Sequence, residues 1–578
     1  MSKLNVDQKT IFNLLSDKQS DFLIPDYQRP YAWDDEQCQT LWDDIFTFSF
    51  PDNDADKFDE NDEYFLGAIV TFKNSDGKHE VIDGQQRLTT LLLILRAFYD
   101  KFTNMQDENS RLTRERIEKC IWKTDKYGKI NKDILKINSE VATDNDKDEF
   151  LELLRTGDIN PASKSKYVQN YRFFERQIDE FLRAFPGYFA DLPANILNNC
   201  ILLPIEAESQ DTALRIFSTL NDRGLPLSDS DIFKAQFYKF YHDQGKKDEF
   251  IERWKGLEEL TEEIFRPSVG TPMDELFTKY MYYLRAKEGN KRSTVESLRK
   301  FYERGKYQYL KQPDTVKNLE SLAEFWQNIS TQNKDVFSDT ILRKLFVLNY
   351  APNGMWEYIA SVYYLQNKDK AGGLDDAAFS NFLSVIAGFI FTYAVTNPGV
   401  NALRTPVFDE MITIVNNGIV TFDKYRFDGA KARSFFENYA FTNSRAITRS
   451  ILTWHAFSFD DQVLLPLNRK LDIEHIYAKK RQEMESGLSN PSSLELLGNK
   501  ILLEQSINIR ASDFRFEDKK KIYTGEMRRG RDKDPSEITE LAEIIRYDDF
   551  TESNILSRNN RILDSFFEYL GSNNLLIK

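Results

Sequence analysis

The 578-residue chain reads as an α+β protein, predominantly helical and built of more than one domain. Three observations carry that reading. The length exceeds what one hydrophobic core holds, so two or three domains are expected. Apolar residues recur at three- and four-residue steps, with charges between them, through residues 167–185, 233–241, 250–265, 273–286 and 316–329, which is the period of amphipathic helices. Two short strand-like runs end in chemically loaded residues, one at Val81-Ile82-Asp83-Gly84 and one at Leu471-Asp472-Ile473-Glu474-His475. The boundaries are placed at residues 1–240, a helical middle at 241–435, and a C-terminal domain at 436–578.

Composition narrows the class. Hydrophobic content of 41% and aromatic content of 13% allow sizeable buried cores. The longest apolar run, residues 382–395, is broken by Ser384 and Gly388 and falls short of the roughly 20 residues of a membrane span. A buried helix is expected there, and no membrane partner. The first residues carry no signal-peptide pattern. Cys38, Cys120 and Cys200 are too widely spaced for a zinc site. A cytoplasmic protein with free thiols is the expectation. The net charge of −15 argues against a generic DNA coat.

The first motif is Ile24-Pro25-Asp26-Tyr27-Gln28-Arg29-Pro30-Tyr31-Ala32-Trp33. Tyr27, Tyr31 and Trp33 offer ring faces for a base or sugar, and Gln28 and Arg29 can hydrogen-bond phosphate or base edges. Flanking prolines and polar residues argue against burial of all three aromatics. Next, Asp83-Gly84-Gln85-Gln86-Arg87 joins a strand to the apolar helix that follows. A glycine turn before a helix start presents free N–H groups and a favourable dipole to an anion, and Arg87 can add a bidentate contact to phosphate. The same pentapeptide equally makes a tight turn with Arg87 tied to a carboxylate. Asn221-Asp222-Arg223-Gly224, followed by Pro226 and Ser228, reads first as a turn and a capped helix start.

The C-terminal motif is Asp472-Ile473-Glu474-His475-Ile476, followed by Gly498-Asn499-Lys500 and Asn508. Phosphodiester cleavage needs a base to take a proton from water, and an imidazole with an ordinary pKa near ~6.5 suits that task. His475 is the candidate base. A hard cation held by oxygen ligands stabilises the phosphorane, and Glu474 or Asp472 with the Asn508 amide oxygen would supply them. Alternation along a strand puts Asp472 and Glu474 on one face and His475 on the other. Farther on, Lys519, Lys520, Arg528 and Arg529 lie in a basic stretch that can hold a DNA backbone. A solvated helix face is the commoner meaning of such a run.

These motifs together resemble the GmrSD-type restriction proteins. The N-terminal resemblance, to the DUF262 domain, spans residues 24–33, 64–69, 83–90 and 216–227. It implies a ParB/sulfiredoxin-like fold that binds and hydrolyses a nucleoside triphosphate, GTP or ATP. Asp83, Gly84, Gln85, Gln86 and Arg87 are then nucleotide-site candidates, with Tyr27, Gln28 and Arg29 nearby as either nucleotide or DNA contacts, and DNA is expected to dock along the stretch from Tyr27 to Trp33. Residues 471–523 resemble the DUF1524 domain, an HNH-like (ββα-metal) nuclease. By that resemblance His475 activates water, Glu474 and Asn508 hold Mg²⁺ or Mn²⁺, and Asn499 fixes the loop. The family pattern has a proline soon after His-Ile, where this chain has Tyr477-Ala478. The function implied is a modification-dependent DNA endonuclease or nickase of anti-phage defence, acting on double-stranded, modified phage DNA, with self-association left open. Two alternatives remain: a nucleotide-dependent DNA-binding switch whose HNH-like domain has lost cleavage, and a non-catalytic interaction protein acting through a partner.

Overall fold

The computed structural model describes residues 5–6, 8–141, 144–210, 212–213, 216, 228–512, 515–526 and 533–577. The chain divides into two compact units, residues 1–256 and 257–578. Helices dominate and the sheets are small, as the periodicity predicts.

The first unit is organised by a mixed seven-stranded sheet. Its strands are β1 (Asn5–Val6), β2 (Lys9–Thr10), β3 (Phe22–Ile24), β4 (Tyr64–Lys73), β5 (His79–Asp83), β8 (Ile137–Ser139) and β9 (Cys200–Ala207), while β6 (Trp122–Thr124) and β7 (Ile130–Leu135) form a separate ribbon. The spatial order is β1-β9-β4-β5-β3-β8, with β2 also on β9. β4 runs parallel to β9 and antiparallel to β5, and β3 lies parallel to both β5 and β8. β5 leads through Gly84, at φ 88°, into the helix Gln85–Phe102. Only a residue tolerant of left-handed backbone makes that reversal cheaply. Residues 91–95 of this helix are all buried, because the helices Glu108–Ile121 and Lys166–Ala184 pack against it.

The second unit is a helical assembly carrying two small ribbons. β10 (Phe427–Asp428) pairs in parallel with β13 (Leu576–Ile577), and β11 (Leu471–His475) pairs antiparallel with β12 (Lys500–Glu504). The apolar run expected as a buried helix is one, but longer than its apolar core. It spans Asp376–Thr396, because Asp375 caps it by accepting from the Ala378 N–H at 2.8 Å. By length and composition alone this 21-residue helix could cross a membrane, yet 72% of its most apolar window is buried within the protein. It packs against the helices Asp339–Asn349, Ala446–Ala456 and Glu552–Ser572.

The helix Glu552–Ser572 also closes over the residues that precede β12. Its Arg558, 2% exposed, donates from Nε to Glu540 Oε1 at 2.9 Å and from one terminal nitrogen to the carbonyls of Leu497, Gly498 and Lys500 at 2.9, 3.0 and 2.7 Å. Gly498 is required there, since an added Cβ would collide with the Ile555 carbonyl and lie 2.7 Å from the Asn559 nitrogen. Burial by itself would raise the Glu540 pKa, but Arg558 and His455 beside it bring it down from 4.5 to about 2. A carboxylate depressed in the folded state contributes stability above its unfolded pKa, and that stability disappears as pH falls through the folded value. Urea unfolding of wild type should therefore weaken between pH 4.5 and about 2. Glu540→Gln should be less stable at neutral pH but fall less across that window, and parallel curves would contradict the assignment.

Candidate active site

β11 and β12 pair in full register, with His475 opposite Lys500, Glu474 opposite Ile501 and Asp472 opposite Leu503. The alternation expected from the sequence gives His475 one set of neighbours and the two acids another. On the first side, Lys500 Nζ stands 2.9 Å from His475 Nε2, 2.8 Å from Glu495 Oε2 and 2.5 Å from Asn443 Oδ1. Lys479 reaches the other Glu495 oxygen at 2.9 Å. Burial, together with the positive charges of Lys500 and Lys479, pushes the His475 pKa down to about 3. The imidazole is thus neutral at physiological pH, but with Lys500 in place it is a far weaker base than the ordinary imidazole expected from the sequence. With an ammonium donating to Nε2, the remaining ring proton belongs on Nδ1.

On the second side, Glu474 is buried and its Oε1 accepts from Lys519 Nζ at 2.7 Å and from the Tyr523 hydroxyl at 2.9 Å. Lys519 also donates to the His475 carbonyl at 2.5 Å. Burial raises the Glu474 pKa while Lys519 and Tyr523 oppose it. Asp472, half-buried, lies 3.4 Å from the Asn508 side-chain nitrogen and 3.8 Å from Arg449. Asp472, Glu474 and Asn508 offer only oxygen as donors, the set a hard divalent cation takes. Oε1 of Glu474 is committed to Lys519 and Tyr523, so its Oε2 is the oxygen left for a cation. Among the described residues no cluster of three or more His, Cys, Asp or Glu has metal-binding geometry.

Asn499 is fully buried and acts on the loop rather than on a reacting group. Its Oδ1 accepts from the Tyr477 N–H at 2.8 Å, and its Nδ2 donates to the Tyr477 carbonyl at 3.1 Å and the Leu494 carbonyl at 3.2 Å. The Asn499 carbonyl takes the Ile476 N–H at 2.9 Å. The turn after His475, which lacks the family's proline, is fixed in this way instead.

The basic stretch needs correction. Lys519, expected to face DNA, is 1% exposed and neutralises Glu474. Lys520 donates to the Tyr547 carbonyl at 2.7 Å. Arg528 and Arg529 lie outside the described residues.

In the first unit the two N-terminal motifs do meet, through contacts within the protein. Gln28 Nε2 donates to the carbonyls of Val81 and Ile82 at 3.3 and 3.2 Å. Gln85 donates to the Arg29 carbonyl at 3.3 Å, and Gln86 both accepts from the Ala32 N–H at 2.7 Å and donates to the Pro30 carbonyl at 3.1 Å. The aromatic platform is mostly core. Tyr27 and Tyr31 are 4% and 7% exposed, Tyr27 packs on Tyr238 and Tyr31 stacks on Tyr167, while Trp33 is half-buried against the core and holds Asn170 through its carbonyl. Local sequence cannot reveal these partners, which come from distant helices.

Asp83 and Arg87 face each other's charge at the Gly84 turn. Burial raises Asp83, opposed by the Gly84 N–H, Arg87 and Arg29, and burial lowers Arg87, opposed by Asp83. Arg87 donates to the Ala68 carbonyl at 2.9 Å, and Gly67 is a glycine because a Cβ there would lie 2.8 Å from that guanidinium. No side chain caps the helix start at Gln85. The Asn221, Arg223 and Gly224 turn lies outside the described residues.

Asn443, Glu495, Lys500 and Tyr523 were not assigned a role from sequence. Lys500 adjoins the Gly-Asn pair, but nothing in its spacing marks it as the partner of His475.

Residues 11–238 match the family described as GmrSD restriction endonuclease, N-terminal domain, and residues 427–565 match GmrSD restriction endonucleases, C-terminal domain. Comparison with curated proteins gives no match.

Removing one member of a buried ion pair strands the other charge, at a cost of about 3–5 kcal/mol. Lys519→Met should lower stability by that order in denaturant unfolding. Adding Glu474→Met to it should recover part of the loss, and strictly additive losses would show that the pair is not coupled.

Proposed function

This chain belongs to the GmrSD restriction endonuclease family, and from that premise we propose that it is a modification-dependent DNA endonuclease or nickase of anti-phage defence. Nucleoside triphosphate hydrolysis in the N-terminal region regulates cleavage of double-stranded phage DNA by the C-terminal region. The observation that carries the reading is the position of His475 at the end of a strand whose other side carries three oxygen-bearing side chains, those of Asp472, Glu474 and Asn508. In this reading residues 427–565 hold a ββα-metal module, with β11 and β12 as its strands and Gln505–Ala511 as its helix. The N-terminal region is ParB/sulfiredoxin-like, and the protein works in the cytoplasm.

His475 Nε2 takes the proton of the attacking water when that water replaces Lys500 at the nitrogen. Lys500 retains Glu495 and Asn443 as partners when it yields. Lys519 and Tyr523 orient the Glu474 carboxylate, and Asn499 keeps the backbone after His475 in place. Asp472, Asn508 and Oε2 of Glu474 would hold Mg²⁺ or Mn²⁺, which supplies charge stabilisation to the phosphorane and the leaving oxygen. In the N-terminal region, the uncapped helix start after Gly84, with Asp83 and Arg87 beside it, supports binding of GTP or ATP phosphates.

One observation favours a second reading, in which the chain is a nucleotide-dependent DNA-binding switch without cleavage. Both His475 and Glu474 carry a lysine partner, and a site locked in that state would bind without cutting.

Modified and unmodified DNA, incubated with Mg²⁺ or Mn²⁺ and with or without GTP or ATP, separates the two. Wild type should cut in a metal-dependent way, and His475→Ala should lower the rate by roughly 10²–10⁴-fold, the contribution of a general base, with nucleotide hydrolysis retained. Arg87→Ala should lose nucleotide hydrolysis. Nucleotide hydrolysis without cutting under any condition would replace the nuclease with the switch.

A further inference from the structure

The second unit contains a cavity of about 590 Å³ whose walls come largely from helices between the two family matches. Five aromatic side chains line it: Phe265, Trp326, Phe346, Trp356 and Tyr358. Glu275 and Glu357 also line it, and behind them sits Lys279 on the helix Pro272–Lys287, with no side-chain exposure. The Lys279 ammonium lies 2.9 Å from Glu275 Oε1 and 2.5 Å from Glu357 Oε2. It is also 4.7 Å from the Trp326 ring centre and 5.2 Å from those of Phe265 and Tyr358.

These groups define what the cavity takes. One ammonium against two carboxylates leaves a net negative charge. Each carboxylate spends one oxygen on Lys279 and is 24% or 36% exposed, so its second oxygen is an acceptor available to a guest. The aromatic cage already holds its cation in Lys279, which leaves no such seat for an alkylammonium ligand. Anionic groups are excluded from the floor by charge, while the exposed Arg266 stands at the lining as their one cationic contact. Aromatic walls and carboxylate acceptors together suit a flat ring bearing N–H donors. We propose that this cavity is a binding site for an amino-substituted heteroaromatic ring of the nucleobase type.

The cavity is also joined to the strand that carries His475. Leu467 lines it, and Gln332, another lining residue, donates to the Leu465 carbonyl at 2.9 Å. The helix Asp339–Asn349 contributes Leu342, Leu345 and Phe346 to the wall. From the same helix Arg343 donates to the carbonyls of Phe457, Phe459, Asp460 and Gln462 at 2.9, 2.5, 3.3 and 2.5 Å. Occupancy therefore braces residues 457–470, which lead directly into β11. The binding site stands on its own geometry; only the consequence for cleavage rests on the nuclease reading.

The test is titration of the full-length protein with adenosine, guanosine and cytidine, followed by tryptophan fluorescence and calorimetry, with putrescine as an aliphatic control. At least one nucleoside should bind saturably. Glu357→Gln should weaken it by roughly tenfold or more, the worth of a charge-assisted hydrogen bond. Ser330→Trp, an exposed lining position, should block it. Arg87→Ala should leave it unchanged, which separates this site from the proposed nucleotide site of the first unit. Absence of saturable binding by any nucleoside, preference for putrescine, or equal affinity in both cavity variants overturns the proposal. Hydrogen exchange across residues 463–470 should slow on saturation, and unchanged exchange there overturns the bracing.

Discussion

A buried guanidinium holds the C-terminal site together. Arg558 contacts Glu540 with one edge and three carbonyls around Asn499 with another. Two of those carbonyls belong to the short turn before β12 and the third to the first residue of β12, and that turn carries Asn499, whose amide in turn clasps Tyr477 just after His475. A buried arginine needs all its donors satisfied, because desolvation outweighs any single contact. The backbone must therefore bring three carbonyls to one point. That requirement excludes any residue larger than glycine at 498, where the turn meets the helix backbone.

Two lysines then set the electrostatics of the site from opposite sides of β11. Burial, and after it Lys500, disfavours the charged form of His475, while Lys500 also orients its ring and is itself balanced by Glu495 and Asn443. Lys519 balances Glu474 and ties down the His475 carbonyl. The strand thus presents its acids and its imidazole separately, each with a fixed partner. In the proposed nuclease reading, those partners are exchanged for water, a cation and phosphate.

Much of this was legible in the sequence because it is local. The strand carrying Asp472, Glu474 and His475, the division of its side chains between two faces, the glycine turn at Gly84 and the buried helix around residues 382–395 all follow from short-range pattern and backbone chemistry. The loop-fixing role of Asn499 followed from resemblance. What did not follow is long-range pairing. Lys519 looked like part of a DNA-facing basic stretch, since a run of charges gives no sign that one of them turns inward to a carboxylate 45 residues away. Tyr27 and Tyr31 looked like ligand platforms because the residues that bury them, Tyr238 and Tyr167, sit on distant helices. Arg558, one of two arginines in an amphipathic helix, carried no signal at all.

The central claim is that the Arg558–Glu540 pair, acting through the turn at Asn499, holds the backbone that positions His475. Residue-resolved amide exchange in wild type and Arg558→Met measures it most directly. The account predicts that the variant loses protection at the Ile476 and Tyr477 amides, both bonded to Asn499, while the β4 and β5 amides of the first unit keep theirs. Unchanged protection at Ile476 and Tyr477 in a folded Arg558→Met protein would contradict it.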